Sequence, residues 1–239
     1  MMLGGLSVAS MRGDDQGSST MAFPDRPADA ESKPLGIPPE VGASDDFAYT
    51  ATQDGGSEPV TYDPCAPIHV VVDPRTIVER GSRLLDEAIE EVQDATGLVF
   101  VVDGLTDEPR PADGTVTDPD GGWLPVRVSW SDPAAEPELK GRVAGIGGST
   151  RVDHEGRSWY VTGEVVLDGP QLAETMAGRH GWRSARAVVM HELAHLVGMD
   201  HVSSSGQLMR PVGDERITSW GDGDRAGLAT LGRGQCIGY

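Results

Sequence analysis

The sequence predicts an α+β fold: a twisted mixed β-sheet carrying two long helices and a shorter C-terminal one. Three observations carry this expectation. The ordered region opens with a strand, a helix and a second strand; β-rich runs bounded by turn residues follow; and a long apolar helix and a short last one close the chain. The opening begins with "PIHVVVDP" (67–74), a β-branched run between prolines that reads as a strand. In "TIVERGSRLLDEAIEEVQDATG" (76–97), Ile77, Leu84, Leu85, Ala88, Ile89 and Val92 recur at helical spacing, and Gly97 supplies the stop. "LVFVVDG" (98–104) is the second strand, and such a unit favours parallel pairing.

An acidic loop rich in Pro and Gly (105–122) leads to a third strand, "WLPVRVSW" (123–130). "RVAGIGGST" (142–150) and "SWYVTGEVVLDG" (158–169) read as further strands, joined by the polar turn "RVDHEG". The glycines of the first suit an edge strand that another backbone approaches closely. After a loop, "WRSARAVVMHELAHLVG" (182–198) is the second long helix and "DGDRAGLATLG" (222–232) the short third one.

Residues 1–64 carry eleven acidic and three basic side chains among scattered Pro, Gly and Ser, with no sustained period. Such a segment buries too little apolar surface to offset its ordering entropy, so it is expected to be a flexible acidic tail, stalk or propeptide remnant ahead of a folded domain at 65–239. "MMLGGLSVASM" at its start is similar to the end of a secretory leader, though no basic stretch precedes it. The net charge of -19 repels phosphate backbones and anionic membranes, which argues against nucleic acid as a partner. No apolar run approaches the roughly 18 residues of a membrane span. Cys65 and Cys236 bracket the predicted domain, which suits a disulfide formed in an oxidising compartment; two buried free thiols would give the same sequence.

The chemistry concentrates in "HELAHLVGMDH" (191–201). His191 and His195, four apart on the second long helix, project from one face about a turn apart and can share one zinc ion. Glu192, beside His191, can take a proton from an attacking water and deliver it to a leaving amine without itself being a ligand. Gly198 can end the helix in the left-handed conformation and turn the chain, which would bring His201 back as a third ligand. Three histidines leave a fourth position open, the arrangement of a catalytic zinc.

At every fixed position this stretch resembles the H-E-x-x-H-x-x-G-x-x-H motif of the metzincin zinc metalloendopeptidases. "QLMRP" (207–211) looks like the methionine turn of that group, with Met209 under the metal at a gap similar to that of the matrixin branch. The resemblance covers about residues 65–239. It implies a zincin-like fold with an active-site cleft along the glycine-rich edge strand (143–150), where a protein or peptide substrate would add as a strand. It also implies a specificity pocket beside Pro211 and Val212, and an Asp of the last helix supporting the turn: Asp224, with Asp222 as the alternative. Val202 and Gly213 depart from the matrixin pattern, which usually has Ser and Tyr at those places.

The resulting expectation is a secreted or extracellular zinc endopeptidase, tethered to the cell surface if the N-terminal segment serves as an anchor, acting as a monomer with one zinc ion. The alternatives are a catalytically silent zinc-binding domain that recognises a protein or cell-wall component, and a zinc amidase acting on a non-protein amide. Calcium is conceivable through Asp103, Asp107, Asp113, Asp118 and Asp120, but a solvated acidic loop is the commoner meaning of such a run, and no ligands are assigned. His69, His154 and His180 read as surface or packing residues, and Asp153 as part of a polar turn. Cys65 lacks the surroundings of a zinc-capping propeptide cysteine, so pairing with Cys236 is preferred.

Overall fold

The structure is a computed structural model that describes residues 7–10, 23–111 and 113–239. It is a mixed α+β arrangement. Its sheet consists of β3 (Ile68–Asp73), β4 (Phe100–Leu105), β5 (Val126–Ser131), β6 (Val143–His154) and β7 (Arg157–Asp168), with the short β1 (Ser7–Ser10) added at one edge. The strand order is β1-β6-β7-β5-β3-β4. β3 runs parallel to β4 and β5, and β5 parallel to β7, while β6 and β7 form an antiparallel hairpin. The strand–helix–strand opening therefore pairs as expected. The described part of the leader-like stretch is β1 itself; residues 1–6 and 11 lie outside the described residues.

Helix α1 (Gly81–Thr96) buries Leu84, Leu85, Ala88, Ile89 and Val92, the stripe read from the sequence except for Ile77, which lies before the helix, and ends at Gly97 with φ 73°. It starts five residues later than expected, because Arg80 takes the left-handed conformation and breaks the helical path. The stretch read as a loop before the second long helix contains α2 (Gly169–Ala177). Its start was written in the sequence: Pro170 stands in the first turn, and the Asp168 carboxylate accepts from the Gln171 N–H at 2.9 Å. Helix α3 (Gly181–Val197) is buried from Ala187 through Val197 and packs on α1 and β6; α4 (Asp222–Leu231) closes the fold.

Why β6 is glycine-rich is visible in this packing. A Cβ on Gly145 would sit 2.7 Å from Glu192 Cγ, and one on Gly147 would collide with the Glu192 carbonyl. Helix α3 thus lies directly on the strand backbone, as the glycine content predicted.

The segment before Cys65, expected to trail, is packed from residue 23 onward. The Glu31 and Leu35 N–H groups donate to the Cys65 and Pro64 carbonyls, Val60, Thr61 and Tyr62 are buried, and β2 (Ala48–Tyr49) pairs antiparallel with β8 (Met199–Asp200). Of its acidic residues, which suggested disorder, Asp29, Asp46, Glu58 and Asp63 accept hydrogen bonds. Residues 23–64 therefore form a strap around the domain, and the packed unit begins well ahead of residue 65.

Cys65 and Cys236 form a disulfide across a separation of 171 residues, joining the end of this strap to the C-terminus. No helix among the described residues is long and apolar enough to cross a membrane. The disulfide suits an oxidising compartment. Replacing both cysteines by serine should lower the unfolding free energy by about 2–5 kcal/mol, because a long loop is freed in the unfolded chain; denaturant titration of the oxidised wild type against the double variant measures it.

Candidate metal centre

Helix α3 carries His191, Glu192 and His195 into the interior, at 3%, 0% and 1% exposure. Gly198 ends it with φ 118° and donates to the Ala194 and His195 carbonyls. A side chain there would be strained at this φ, and its Cβ would lie 3.0 Å from the Tyr160 ring. The chain then passes through β8, whose pairing with the strap fixes its direction, and delivers His201, whose N–H donates to the Asp200 carboxylate.

The three imidazoles converge. His201 Nε2 lies 3.1 Å from the Nε2 atoms of both His191 and His195. Their other nitrogens explain the convergence: His191 Nδ1 is 2.8 Å from the Leu208 carbonyl and His195 Nδ1 is 2.8 Å from the Met199 carbonyl. A carbonyl only accepts, so both rings carry their proton on Nδ1 and turn a bare Nε2 lone pair inward. A proton on His201 Nε2 satisfies one of those lone pairs and not the other. Tetrahedral coordination at ordinary zinc–nitrogen lengths places ligand nitrogens roughly 3.3 Å apart, so the donor set fits a metal ion. The buried triad can hold one, as its spacing suggested.

Electrostatics agree. Burial, and the other imidazoles, hold His191 well below the usual histidine range. The same causes bring His195 down to about 4, and burial lowers His201 as well. All three are therefore neutral near pH 7, the form in which nitrogen ligates. Glu192 is the opposite case: burial pushes its carboxyl well above the usual range, and neither oxygen has a hydrogen-bond partner. A buried acid with no partner is costly unless a cation or bound water completes its surroundings.

Met209 is fully buried in the turn at 208–209, which is held from several directions. Asp224 accepts from the Leu208, Met209 and Gly221 N–H groups, and Val202 N–H donates to the Met209 carbonyl at 2.9 Å. Asp224 is thus the supporting acid; Asp222 is exposed and pairs with Arg225. Because the Leu208 carbonyl also accepts from His191 Nδ1, the turn that Asp224 holds is the one that sets the tautomer of His191.

Sequence reasoning missed one layer behind this. Gln207 accepts from Asp224 N–H through Oε1 and donates through Nε2 to Asp46 of the strap at 2.8 Å; Ser204 Oγ donates to the same carboxylate. Nothing distinguishes Asp46 from its acidic neighbours in the sequence, so only the fold identifies it. Pro211 and Val212 follow the turn and are exposed, Val212 at 44%. The other histidines have separate partners: His69 lies between Asp29 and Asp103, His154 stacks on Phe23, and His180 precedes α3. The loop carboxylates are likewise apart, with Asp113 accepting from Thr115 and Asp118 from Gly122.

Comparison of the chain with protein-family models and with curated proteins found no match. The site is therefore judged on its own geometry. Asp224→Ala should weaken metal binding about 10- to 100-fold, because it frees the turn that orients His191. It should also cost about 2–4 kcal/mol of stability from buried N–H groups left without an acceptor. Competition with a chelator of known affinity and a denaturant titration read the two effects separately.

Proposed function

We propose that this protein is a zinc endopeptidase of the metzincin type, matrixin-like in its motif and zincin-like in fold. The observation that carries the reading is the pair of outward Nδ1 bonds, which leave three Nε2 atoms converging beside an unpartnered, buried Glu192. His191, His195 and His201 would hold the zinc, which supplies Lewis acidity for attack of water on a carbonyl. A dication also counters the burial that disfavours the ionised form of Glu192.

Glu192 then acts as general base. One carboxylate oxygen takes a proton from the attacking water, the water oxygen bonds to the peptide carbon, and the same proton passes to the amide nitrogen as the C–N bond breaks. The products are a carboxylic acid and an amine, with no covalent bond to the protein. Met209, held by Asp224, forms the floor beneath the ligands. Pro211 and Val212, exposed beyond the turn, would contact the residue after the scissile bond.

The substrate would lie along the outer edge of β6, over the glycines that face Glu192. That edge accepts an extended chain: β1 pairs with it in parallel, Ala9 opposite Ile146 and Ser10 opposite Gly147. A substrate using these main-chain groups must displace β1, so the N-terminal segment competes for the cleft. A disulfide-bonded, secreted or extracellular protein acting on protein or peptide substrates is the setting that suits this chemistry.

Two measurements test the reading. A diverse peptide library read by mass spectrometry should show cuts by the zinc-loaded wild type that fall on the order of 10²–10⁴-fold with Glu192→Ala, at unchanged zinc content. Absence of cuts with one zinc per chain bound would favour a silent binding domain over the peptidase. Replacing Val8 and Ala9 together by proline, which removes two backbone donors from β1, should raise kcat/KM mainly through a lower KM; an unchanged KM would show that β1 does not compete.

A further inference from the structure

Residues 46–50 of the strap reach, by two separate paths, both of the carbonyl groups that orient His191 and His195. The first path starts at a side chain. The Asp46 carboxylate accepts from Ser204 Oγ and, at 2.8 Å, from Gln207 Nε2. Because a carboxylate only accepts, the Gln207 amide is held with Oε1 turned the other way, where it receives the Asp224 N–H at 3.1 Å. Asp224 in turn accepts from the Leu208 and Met209 N–H groups, and the Leu208 carbonyl accepts from His191 Nδ1. From Gln207 onward every link has one possible donor and one possible acceptor, so the strap is tied to the ring in a single arrangement.

The second path runs through main chain. Ala48 and Tyr49 pair antiparallel with Asp200 and Met199, and Thr50 donates its N–H to the Gly198 carbonyl at 3.0 Å. Met199 is the residue whose carbonyl accepts from His195 Nδ1. β8 is only two residues long, so its direction depends on this pairing. The strap also has no room to slide between the two paths. A Cβ on Gly223, at the start of α4, would collide with the Asp46 carbonyl, and one on Gly227 would meet Phe47 Cβ at 3.0 Å. The strap backbone therefore lies directly on the helix that carries Asp224. Phe47 and Tyr49 pack on the core, while Asp46 and the main chain of 48–50 direct their hydrogen bonds at the segments that hold the two histidine rings.

We propose that residues 46–50 form a positioning clip for the metal site, with Asp46 acting on His191 through Gln207 and Asp224, and β2 acting on His195 through β8. Docking of the clip and binding of a metal ion then strengthen one another, because both select the same ring orientations. The proposal rests on the three histidines being a metal site and is independent of peptidase activity.

The test measures the zinc affinity of the full disulfide-bonded chain by competition with a chelator of known affinity. Asp46→Ala should raise the Kd for zinc about tenfold, the lower end of the effect of losing an outer contact. Asp46→Asn keeps an oxygen for Gln207 and offers Ser204 an N–H in place of a lone pair, so it should stay within about threefold of the wild type. Val70→Ala, in a buried strand separated from β6 by β7 and β5, is the control for lost stability and should leave the Kd unchanged. Hydrogen exchange reads the reverse direction and needs no variant. Removing zinc from the wild type should speed exchange at least about tenfold in peptides covering 46–50, and leave unchanged those covering 31–35, which are bonded to the Cys65 and Pro64 carbonyls. With zinc bound one-to-one to the wild type, an unchanged Kd in Asp46→Ala, an equal loss in Asp46→Asn or Val70→Ala, or zinc-independent exchange at 46–50 would each overturn the proposal alone. A wild type that binds no zinc would overturn the metal reading and the proposal with it.

Discussion

The close seating of helix α3 on strand β6 is the constraint on which the rest of the structure depends. Gly145 and Gly147 on the strand leave no room for a Cβ beneath Glu192, and a Cβ at Gly163 on the neighbouring strand would meet Leu196. Because the backbones touch, the helix cannot shift or rotate without collision, and the residues it carries inherit that rigidity. Glu192 is held against the strand whose outer edge pairs with β1. The distance between acid and edge is thus set by packed backbone, where a flexible side chain would leave it loose.

Convergence of the histidines rests on a second set of contacts, made by carbonyl groups. Leu208 and Met199 lie in the two segments that follow the helix, and each accepts from one Nδ1. Neither segment is regular structure long enough to hold itself. The turn at 208–209 is held by Asp224 from α4, and β8 by pairing with β2 from the strap. Outer contacts of this type fix both ring orientation and tautomer, so the candidate metal site depends on residues beyond the three histidines.

The strap changes the meaning of the acidic N-terminal composition. Charge-rich sequence with few apolar residues suggests disorder because it cannot form a core of its own. Here it needs none: Val60 and Tyr62 insert into a core built by the rest of the chain, and Asp46 and Asp63 meet backbone or side-chain donors offered by that surface. The ordering entropy is offset by contacts that exist only once the domain has folded, and a composition argument has no access to those.

The sequence by itself determined the α+β class, the order and approximate bounds of the main elements, the buried stripe of α1 and the convergence of His191, His195 and His201. It did so because periodicity, glycine stops and the spacing of ligands along one helix are local properties, legible wherever the backbone conformation repeats. It also pointed to the Cys65–Cys236 pairing and to Asp224, the latter through a resemblance of motif. Helix α2 was legible and was overlooked, since Asp168 and Pro170 mark its start. Tertiary structure alone decided that residues 23–64 wrap the domain, that Asp46 and Gln207 stand behind the methionine turn, and that β1 lies on the β6 edge. Each of these is a contact between segments far apart in the chain, chosen by which surface the fold exposes, and no local pattern encodes that choice.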